Sequence, residues 1–216
     1  MVETLMFTFR QAWFYLLERQ DEFLYALRDH LELVGITLGI VLMVSIPLGI
    51  WTARSKLPAL VIMNAINGMR VLPSLAVLFL VVPYLGLSTA SALVALIILA
   101  LPPVLINTDA GFRSLDKAIL ENARGMGMSG LQILLRVEFP LAMPVILAGV
   151  KTAAVEVIAS ATLAAFVGSG GLGIYITRGF ALFDYSILMV GAVPVALLTL
   201  LAEAGLSALQ RLAQPG

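Results

Sequence analysis

The sequence has few of the residues on which soluble proteins and enzymes depend. It contains no cysteine, one histidine, and 12% charged residues against 61% hydrophobic ones. A soluble domain would carry about 25% charged residues. Without cysteine, the chain has no disulfide framework, no cysteine metal site and no thiolate nucleophile. The scarcity of charge indicates a protein that lies in a membrane.

Two further absences exclude whole classes of function. The 13 basic and 13 acidic side chains cancel, whereas binding to nucleic acid needs a basic surface, so we expect no nucleic-acid partner. No glycine precedes a lysine, so the phosphate-binding loop that ends in Gly-Lys-Ser/Thr is missing. The lone His30 builds neither a metal site nor a catalytic triad, and we interpret it as a polar residue near the outer start of the first span. We therefore predict no catalytic residue, no metal site and no cofactor on this chain.

Long apolar runs predict five transmembrane helices, since about 20 apolar residues cross the hydrocarbon layer. The predicted spans lie near residues 31–53, 57–82, 88–108, 141–166 and 185–209. The turn between the second and third spans is expected at Pro83-Tyr84-Leu85-Gly86, because proline ends a helix and glycine permits a reversal. Arg70 and Pro73 lie inside the second span, so the alternative that this span consists of two shorter helices stays open. Residues 31–210 thus form one all-α membrane domain.

Residues 1–30 differ in kind from the spans. Leucine and aromatic side chains recur there at helical spacing, with charged side chains largely between them. This pattern predicts an amphipathic helix on the outer membrane interface.

The distribution of lysine and arginine predicts the orientation, because loops rich in them stay in the cytoplasm. With an outer N-terminus and a cytoplasmic C-terminus, the basic residues on the cytoplasmic side are Arg54, Lys56, Arg113, Lys117, Arg124, Arg136 and Arg211. The opposite side holds fewer: Arg10, Arg19, Arg28 and Arg178. We therefore predict a multi-pass protein with its N-terminus outside.

The loop 109–140 is long for a connection between spans, and such loops usually bind something. Asp116 is a candidate cap for a short helix that ends at Gly125 and Gly127. Pro140 is expected to stop the following segment before the chain re-enters the membrane.

The sequence of this loop resembles a known motif. Glu121-Asn122-Ala123-Arg124-Gly125-Met126-Gly127, nine further residues and then Val137-Glu138-Phe139-Pro140 resemble the cytoplasmic loop motif of bacterial ABC importer permeases. That motif reads Glu-Ala-Ala, three residues, Gly, nine residues, Ile, any residue, Leu-Pro. The departures are Asn122, Val137 and Phe139, of which only Asn122 changes polarity. An ordinary amphipathic connector is the alternative interpretation.

Further segments resemble the permease subunit of glycine betaine, carnitine and choline importers, over about residues 33–209. They are residues 70–76, 124–129, 139–144, 148–153 and 161–173. The resemblance implies the type I importer permease fold and a coupling helix that docks on an ATPase. The residues it assigns to coupling are Glu121, Ala123, Arg124, Gly125, Gly127, Met128 and Pro140.

Ionisable residues within spans are costly and usually face a cavity or a partner. Arg70, Lys151 and Glu156 are such residues. Lys151 lies near the membrane interface, where its long stem allows the ammonium group to reach water. Glu156 is deeper and has Arg70 or a cationic solute as possible partners. With Pro73, which is expected to kink the second span, Arg70 and Glu156 make up our candidate translocation pathway.

Glycines form two groups. An outer turn is predicted at Gly168, Gly170, Gly171 and Gly173, followed by a segment from Tyr175 to Phe180 along the outer surface. This turn is not a nucleotide-binding loop, because it follows an apolar helix and not a strand. Gly35, Gly39 and Gly49 of the first span predict close helix packing.

Together these features predict the transmembrane subunit of an ATP-driven, binding-protein-dependent importer for a quaternary-amine osmoprotectant such as glycine betaine, carnitine or choline. The resemblance implies two ATPase subunits, which carry ATP and Mg²⁺, a second permease subunit, identical or related, an extracytoplasmic binding protein, and the lipid of the bacterial cytoplasmic (inner) membrane. Two alternatives stay open: a permease for methionine or another small amino acid, and a secondary transporter driven by an ion gradient.

Overall fold

The computed structural model describes residues 2–213, with side chains for residues 6–57 and 59–213, and this part of the chain is helical without a strand. The helices are α1 (Val2–Glu18), α2 (Gln20–Arg54), α3 (Lys56–Met69), α4 (Ser74–Leu85), α5 (Thr89–Arg113), α6 (Lys117–Gly125), α7 (Gly130–Ile133), α8 (Phe139–Ser160), α9 (Gly173–Leu182) and α10 (Tyr185–Leu212). A π-helical turn, Leu134–Glu138, precedes α8, and a 3₁₀ helix, Ala161–Val167, follows it.

Four helical segments are long and apolar enough to cross a membrane. They are Gln20–Arg54, Thr89–Arg113, Gly130–Val167 and Tyr185–Leu212. A fifth crossing requires that α3 and α4 together count as one span. The expected all-α membrane fold is confirmed.

The second predicted span, residues 57–82, is not one straight helix. Ala59–Met69 and Ser74–Leu85 are bent by 102° relative to one another. The cause lies in Pro73, which has an extended backbone (φ −62°, ψ 134°) and precedes the first residue of α4. Since proline lacks an amide hydrogen and disfavours helix in the residue before it, α3 ends before Pro73 is reached. The chain then turns and starts a new helix.

Gly86, just after α4, has a φ of +71°. It begins the connection to α5, whose first turn is capped by Ser88 through a hydrogen bond from the Ser91 amide. The chain thus reverses at Leu85–Gly86, within the predicted turn, but Pro83 lies inside α4 and does not end it.

The N-terminal segment consists of two helical parts, not one helix over residues 1–30. α1 ends at Glu18, and Arg19 breaks the helix (φ −128°, ψ 41°). Residues 20–30 belong to α2 and continue without interruption into the first span, because they contain no glycine or proline that would stop it. α1 packs against α10, and the Tyr15 ring meets the Tyr175 ring of α9 edge-on, with 6.4 Å between ring centroids.

The centre of the bundle is α5, which packs between α2 and α8. Two glycines set these approaches: a Cβ on Gly49 of α2 would lie 2.6 Å from Thr108 Cβ, and one on Gly149 of α8 would lie 2.5 Å from the Pro103 carbonyl oxygen. Small residues allow backbones to come this close. Gly35 and Gly39, by contrast, have no described atom within 4 Å of such a Cβ. The packing role expected of all three glycines therefore holds for Gly49 alone.

Candidate coupling loop and translocation cavity

The short helix predicted within the loop is present as α6, and its first turn is capped. Asp116 accepts a hydrogen bond from the Ala118 amide through Oδ1 at 2.9 Å. Such a cap satisfies one of the free amides of the first turn and stabilises a helix by about 1 kcal/mol. A nine-residue helix is too short to be stable alone, so α6 depends on its caps and on its contact with the bundle.

The C-terminal end of α6 is closed by Gly127, whose φ is +77°. The Gly127 amide donates to the Arg124 carbonyl at 2.9 Å, and the Met128 amide donates to the Ala123 carbonyl at 3.3 Å. This pair of bonds is a Schellman motif, in which the residue after the helix adopts a left-handed conformation that favours glycine. Gly127 is therefore required by the backbone of the loop itself.

The faces of α6 differ sharply. Ala123 is 2% exposed, on a helix that packs against α7 and the π turn, whereas Glu121, Arg124 and Gly125 are exposed. A Cβ on Gly125 would meet no described atom within 4 Å, so packing inside this chain does not explain a glycine there. The adjacent Met126 side chain is 75% exposed. The end of α6 thus presents a small residue and an apolar side chain outward, as a docking helix would.

A capping box starts the second half of the loop. The Ser129 amide donates to Gln132 Oε1 at 2.8 Å, and the Gln132 amide donates to Ser129 Oγ at 3.4 Å. These reciprocal bonds define the beginning of α7. Ile133, at the end of α7, is buried against the bundle.

Pro140 does not stop the segment that precedes it, contrary to expectation. The chain is helical without interruption from Gly130 to Val167, and Pro140 lies in the first turn of α8. The π-helical turn Leu134–Glu138 lies directly before it. A proline ring clashes with the carbonyl four residues earlier in a regular α-helix, and the wider π turn relieves this clash. The second half of the loop, from Gly130, therefore forms one continuous helical segment with the fourth span.

Two charged contacts join this loop to the ends of the spans. Arg54, the last residue of α2, forms an ion pair with Glu138 of the π turn. Arg113, the last residue of α5, donates to Asp109 Oδ2 at 2.7 Å and to the Thr52 carbonyl at 2.6 Å. These contacts tie the ends of two spans to each other and to the base of the loop.

A cavity of about 660 Å³ lies between α6 and this anchored base. Its charged lining residues are Arg54, Arg113, Lys117, Arg124 and Glu138. The sequence assigned Arg124 to coupling by resemblance, and Arg54, Arg113 and Lys117 only to the cytoplasmic side of the membrane. Their pairing is invisible in the sequence, because Arg54 and Glu138 are 84 residues apart.

A second cavity, of about 220 Å³, brings together two of the three predicted pathway residues. Arg70, at the end of α3, and Glu156, on α8, both line it. Apolar side chains form most of the remaining wall: Met69, Leu72, Leu99 and Pro103. Pro73 does not line the cavity, and its part is to set the bend that positions Arg70.

The family of binding-protein-dependent transport system inner membrane components matches residues 45–216. The chain belongs to this family. The carnitine transport permease protein OpuCB of Listeria monocytogenes is 41% identical over 180 residues, which cover 83% of this chain and 82% of that protein. The glycine betaine/carnitine/choline transport system permease protein OpuCB of Bacillus subtilis is 39% identical over 196 residues, with 90% and 89% covered.

The fold of the permease is also found in a solved structure. A chain of the inward-facing MetNI methionine ABC transporter superposes with a TM-score of 0.78 over 90% of the permease and 97% of that chain. The two are 17% identical, so this likeness concerns the fold alone. It agrees with the type I importer architecture that the loop motif implies.

The glycine turn of the permease requires its glycines for two different reasons. Gly168, Gly170 and Gly171 have φ values of +74°, +84° and +78°, which side chains rarely adopt. Gly173 has ordinary backbone angles, but a Cβ there would lie 2.0 Å from the Thr162 carbonyl oxygen. The following segment is not simply spread along the surface, because it forms α9 and its Tyr175 is 3% exposed.

His30 lies near the start of the first span, as the sequence predicts, and it is part of the buried core of the permease. It is fully buried, and its Nε2 donates to the Ile158 carbonyl at 3.2 Å. It also packs against the glycine turn, since a Cβ on Gly171 would lie 3.3 Å from His30 Nδ1. His30 thus fixes the start of the first span to the turn after the fourth.

Lys151 is bonded to α10 and lies apart from the pathway cavity. Its Nζ lies 3.1 Å from Glu203 Oε1 and donates to Ser207 Oγ at 3.2 Å. This pairing gives Lys151 a structural partner inside the permease. Within residues 2–213, no three metal-ligating side chains come together.

Proposed function

We propose that this chain is the transmembrane subunit of an ATP-driven, binding-protein-dependent importer of quaternary-amine osmoprotectants such as glycine betaine, carnitine or choline. The main support for the proposal is the structure of the coupling loop. α6 is capped at both ends, turns an unpacked glycine outward, and stands on a base that is bonded to two spans. The relatives at 39–41% identity, whose names state these solutes, support the substrate class.

The loop is suited to transmit force from two ATPase subunits, on which ATP and Mg²⁺ bind. A partner groove would receive the end of α6, where Glu121, Arg124, Gly125 and Met126 are exposed. Because Arg54 fastens the base of the loop to α2, and Arg113 fastens the end of α5 to α2, movement of α6 is passed to the spans as a rigid-body displacement. The continuous helix from Gly130 to Val167 carries the same movement into the fourth span.

The sidedness of the structure fits a cytoplasmic coupling loop and an outer N-terminus. Gln210, near the end of α10, donates to the Pro144 carbonyl at 3.1 Å, so α10 ends on the side of the coupling loop. The beginning of α2 lies at the opposite end, where Asp29 and His30 contact the glycine turn. The basic residues of the loop side favour the cytoplasm for that side.

A second permease subunit, identical or related, would complete the pathway. The segment from α3 to α4 exposes many apolar side chains. The most exposed are Leu57, Val61, Val71 and Tyr84. Such a surface is covered by lipid, by the second subunit or by both. An extracytoplasmic binding protein would dock on the glycine-turn side and deliver the solute.

The test is ATP hydrolysis by the purified complex. The chain is co-expressed with the ATPase and the binding protein encoded beside it, and the complex is reconstituted in lipid. We expect hydrolysis to rise when binding protein loaded with glycine betaine, carnitine or choline is added, and not with unloaded binding protein. Stimulation by methionine instead would select the amino-acid alternative, and loss of the ATPase without loss of uptake would select the ion-gradient alternative.

A further inference from the structure

Two opposite charges face one cavity of the permease without meeting each other. Arg70 comes from the end of α3 and Glu156 from near the end of α8, and both line the cavity of about 220 Å³. Among the described residues, the ion pairs within 4.0 Å join Arg19 to Glu22, Arg54 to Glu138, Arg113 to Asp109 and Lys151 to Glu203, and include neither Arg70 nor Glu156.

From this arrangement we infer that Arg70 and Glu156 form a recognition site for a zwitterion, with the solute carboxylate on Arg70 and its quaternary ammonium on Glu156. The inference rests on the proposed function and adds to it the solute groups that each residue receives. A gap between two unpaired opposite charges matches a molecule that carries the complementary charges at its two ends.

The walls of the cavity fit the same solute. A quaternary ammonium has no hydrogen to donate, so it is held by a negative charge and by contact of its methyl groups with apolar surface. Leu72, Leu99 and Met69 supply such surface around Glu156. An arginine is the side chain best suited to a carboxylate, because its planar donors match the two oxygens.

The site would separate solutes that share the quaternary ammonium. Glycine betaine and carnitine carry a carboxylate, whereas choline carries a hydroxyl group in its place. Glu156 would therefore bind the ammonium group of all three solutes, whereas Arg70 would bind only the carboxylate of the two zwitterions. A role of Arg70 in folding or in subunit contact would instead affect all three solutes alike.

The experiment measures uptake of labelled glycine betaine, carnitine and choline by proteoliposomes that contain the full complex with saturating binding protein. Arg70→Gln is expected to lower uptake of the two zwitterions about tenfold, the effect of losing one charge-assisted contact, and to leave choline uptake within about twofold of the wild-type rate. Glu156→Gln is expected to lower uptake of all three. Arg10→Gln and Glu18→Gln, exposed residues of α1, are the matched controls and should change none.

Arg70→Lys keeps the charge but loses the two-pronged donor, so the inference predicts a partial loss confined to the zwitterions. This variant also decides the question where Arg70→Gln fails to assemble. Equal loss of choline and glycine betaine in a variant that assembles with its partners, or unchanged glycine betaine uptake in Arg70→Gln, would overturn the inference. The proposed function fails in a different way, namely when the wild-type complex transports none of the three solutes.

Discussion

Arg54 and Glu138 form an ion pair that joins the last residue of the first span to the π turn at the base of the coupling loop. The Glu138 side chain is 12% exposed, and that of Arg54 is 49% exposed. The pair is therefore partly shielded from water, and each charged side chain has the opposite charge as its partner. The pair links α2 directly to the loop, although three helices separate the two along the chain.

Arg54→Gln should uncouple the loop from the first span. The change leaves the largely buried Glu138 carboxylate without its partner, which costs about 1–3 kcal/mol. We expect lower thermal stability of the complex and a fall in solute uptake per ATP hydrolysed, measured together in proteoliposomes.

The double variant Arg54→Gln/Glu138→Gln removes both charges and should recover part of the stability, because no unpaired carboxylate remains. Arg211→Gln, at the exposed end of α10, serves as a control. Additive losses in the double variant would show that the two residues act independently.

Gly125→Leu should separate coupling from folding. A Cβ at this position meets no described atom of the permease within 4 Å, so membrane insertion and thermal stability should be retained. The ATPase would lose the close approach that glycine permits, and uptake should fall at least about tenfold, equivalent to about 1.4 kcal/mol of lost interaction. Gly205→Leu on α10, also without a neighbour within 4 Å, is the matched control. Normal uptake by Gly125→Leu would remove Gly125 from the docking surface.

Gly127→Ala and Gly127→Asn should differ from each other. Gly127 has a φ of +77°, where alanine costs about 1–2 kcal/mol and asparagine is better tolerated. We expect Gly127→Ala to weaken ATPase stimulation by loosening the end of α6, with Gly127→Asn close to wild type. Identical behaviour of the two variants would mean that the left-handed conformation is not what the position requires.

Gly49→Val should destabilise the bundle while Gly39→Val does not. Both lie on α2, but only a Cβ at Gly49 meets α5, at 2.6 Å from Thr108 Cβ. Overpacking of this kind costs about 1–3 kcal/mol. Thermal unfolding of the purified complex in detergent measures the difference, and equal midpoints for the two variants would contradict the packing of α2 on α5.

The fold class was predictable because the apolar runs are long and the loop motif has fixed spacing. Local signals also worked where one residue determines the backbone: Asp116 caps α6, and Gly127 ends it. The prediction that Pro140 stops the segment before it was wrong, because the π turn that accommodates the proline depends on the whole loop. Residues 1–30 were predicted to form one helix, whereas the break falls at Arg19, a residue with no helix-breaking character of its own.

Contacts between distant parts of the chain were out of reach. Gly39 and Gly49 look alike in the sequence, and only the position of α5 gives Gly49 its packing role. The partners of Lys151 and Arg54 lie on helices far along the chain. The sequence therefore predicted the side of the membrane on which a charged residue lies, but not the residue with which it pairs. The common cavity of Arg70 and Glu156 depends on the 102° bend between α3 and α4, whose angle no sequence pattern indicates.

The central claim is that this permease moves a quaternary-amine osmoprotectant at the expense of ATP hydrolysed by partner subunits. Accumulation of labelled glycine betaine in proteoliposomes, with the binding protein present and the ion gradients abolished, tests it most directly. The account predicts accumulation that needs ATP and the binding protein and that is lost when the ATPase cannot hydrolyse ATP. Accumulation without ATP, driven by an imposed ion gradient, would contradict it.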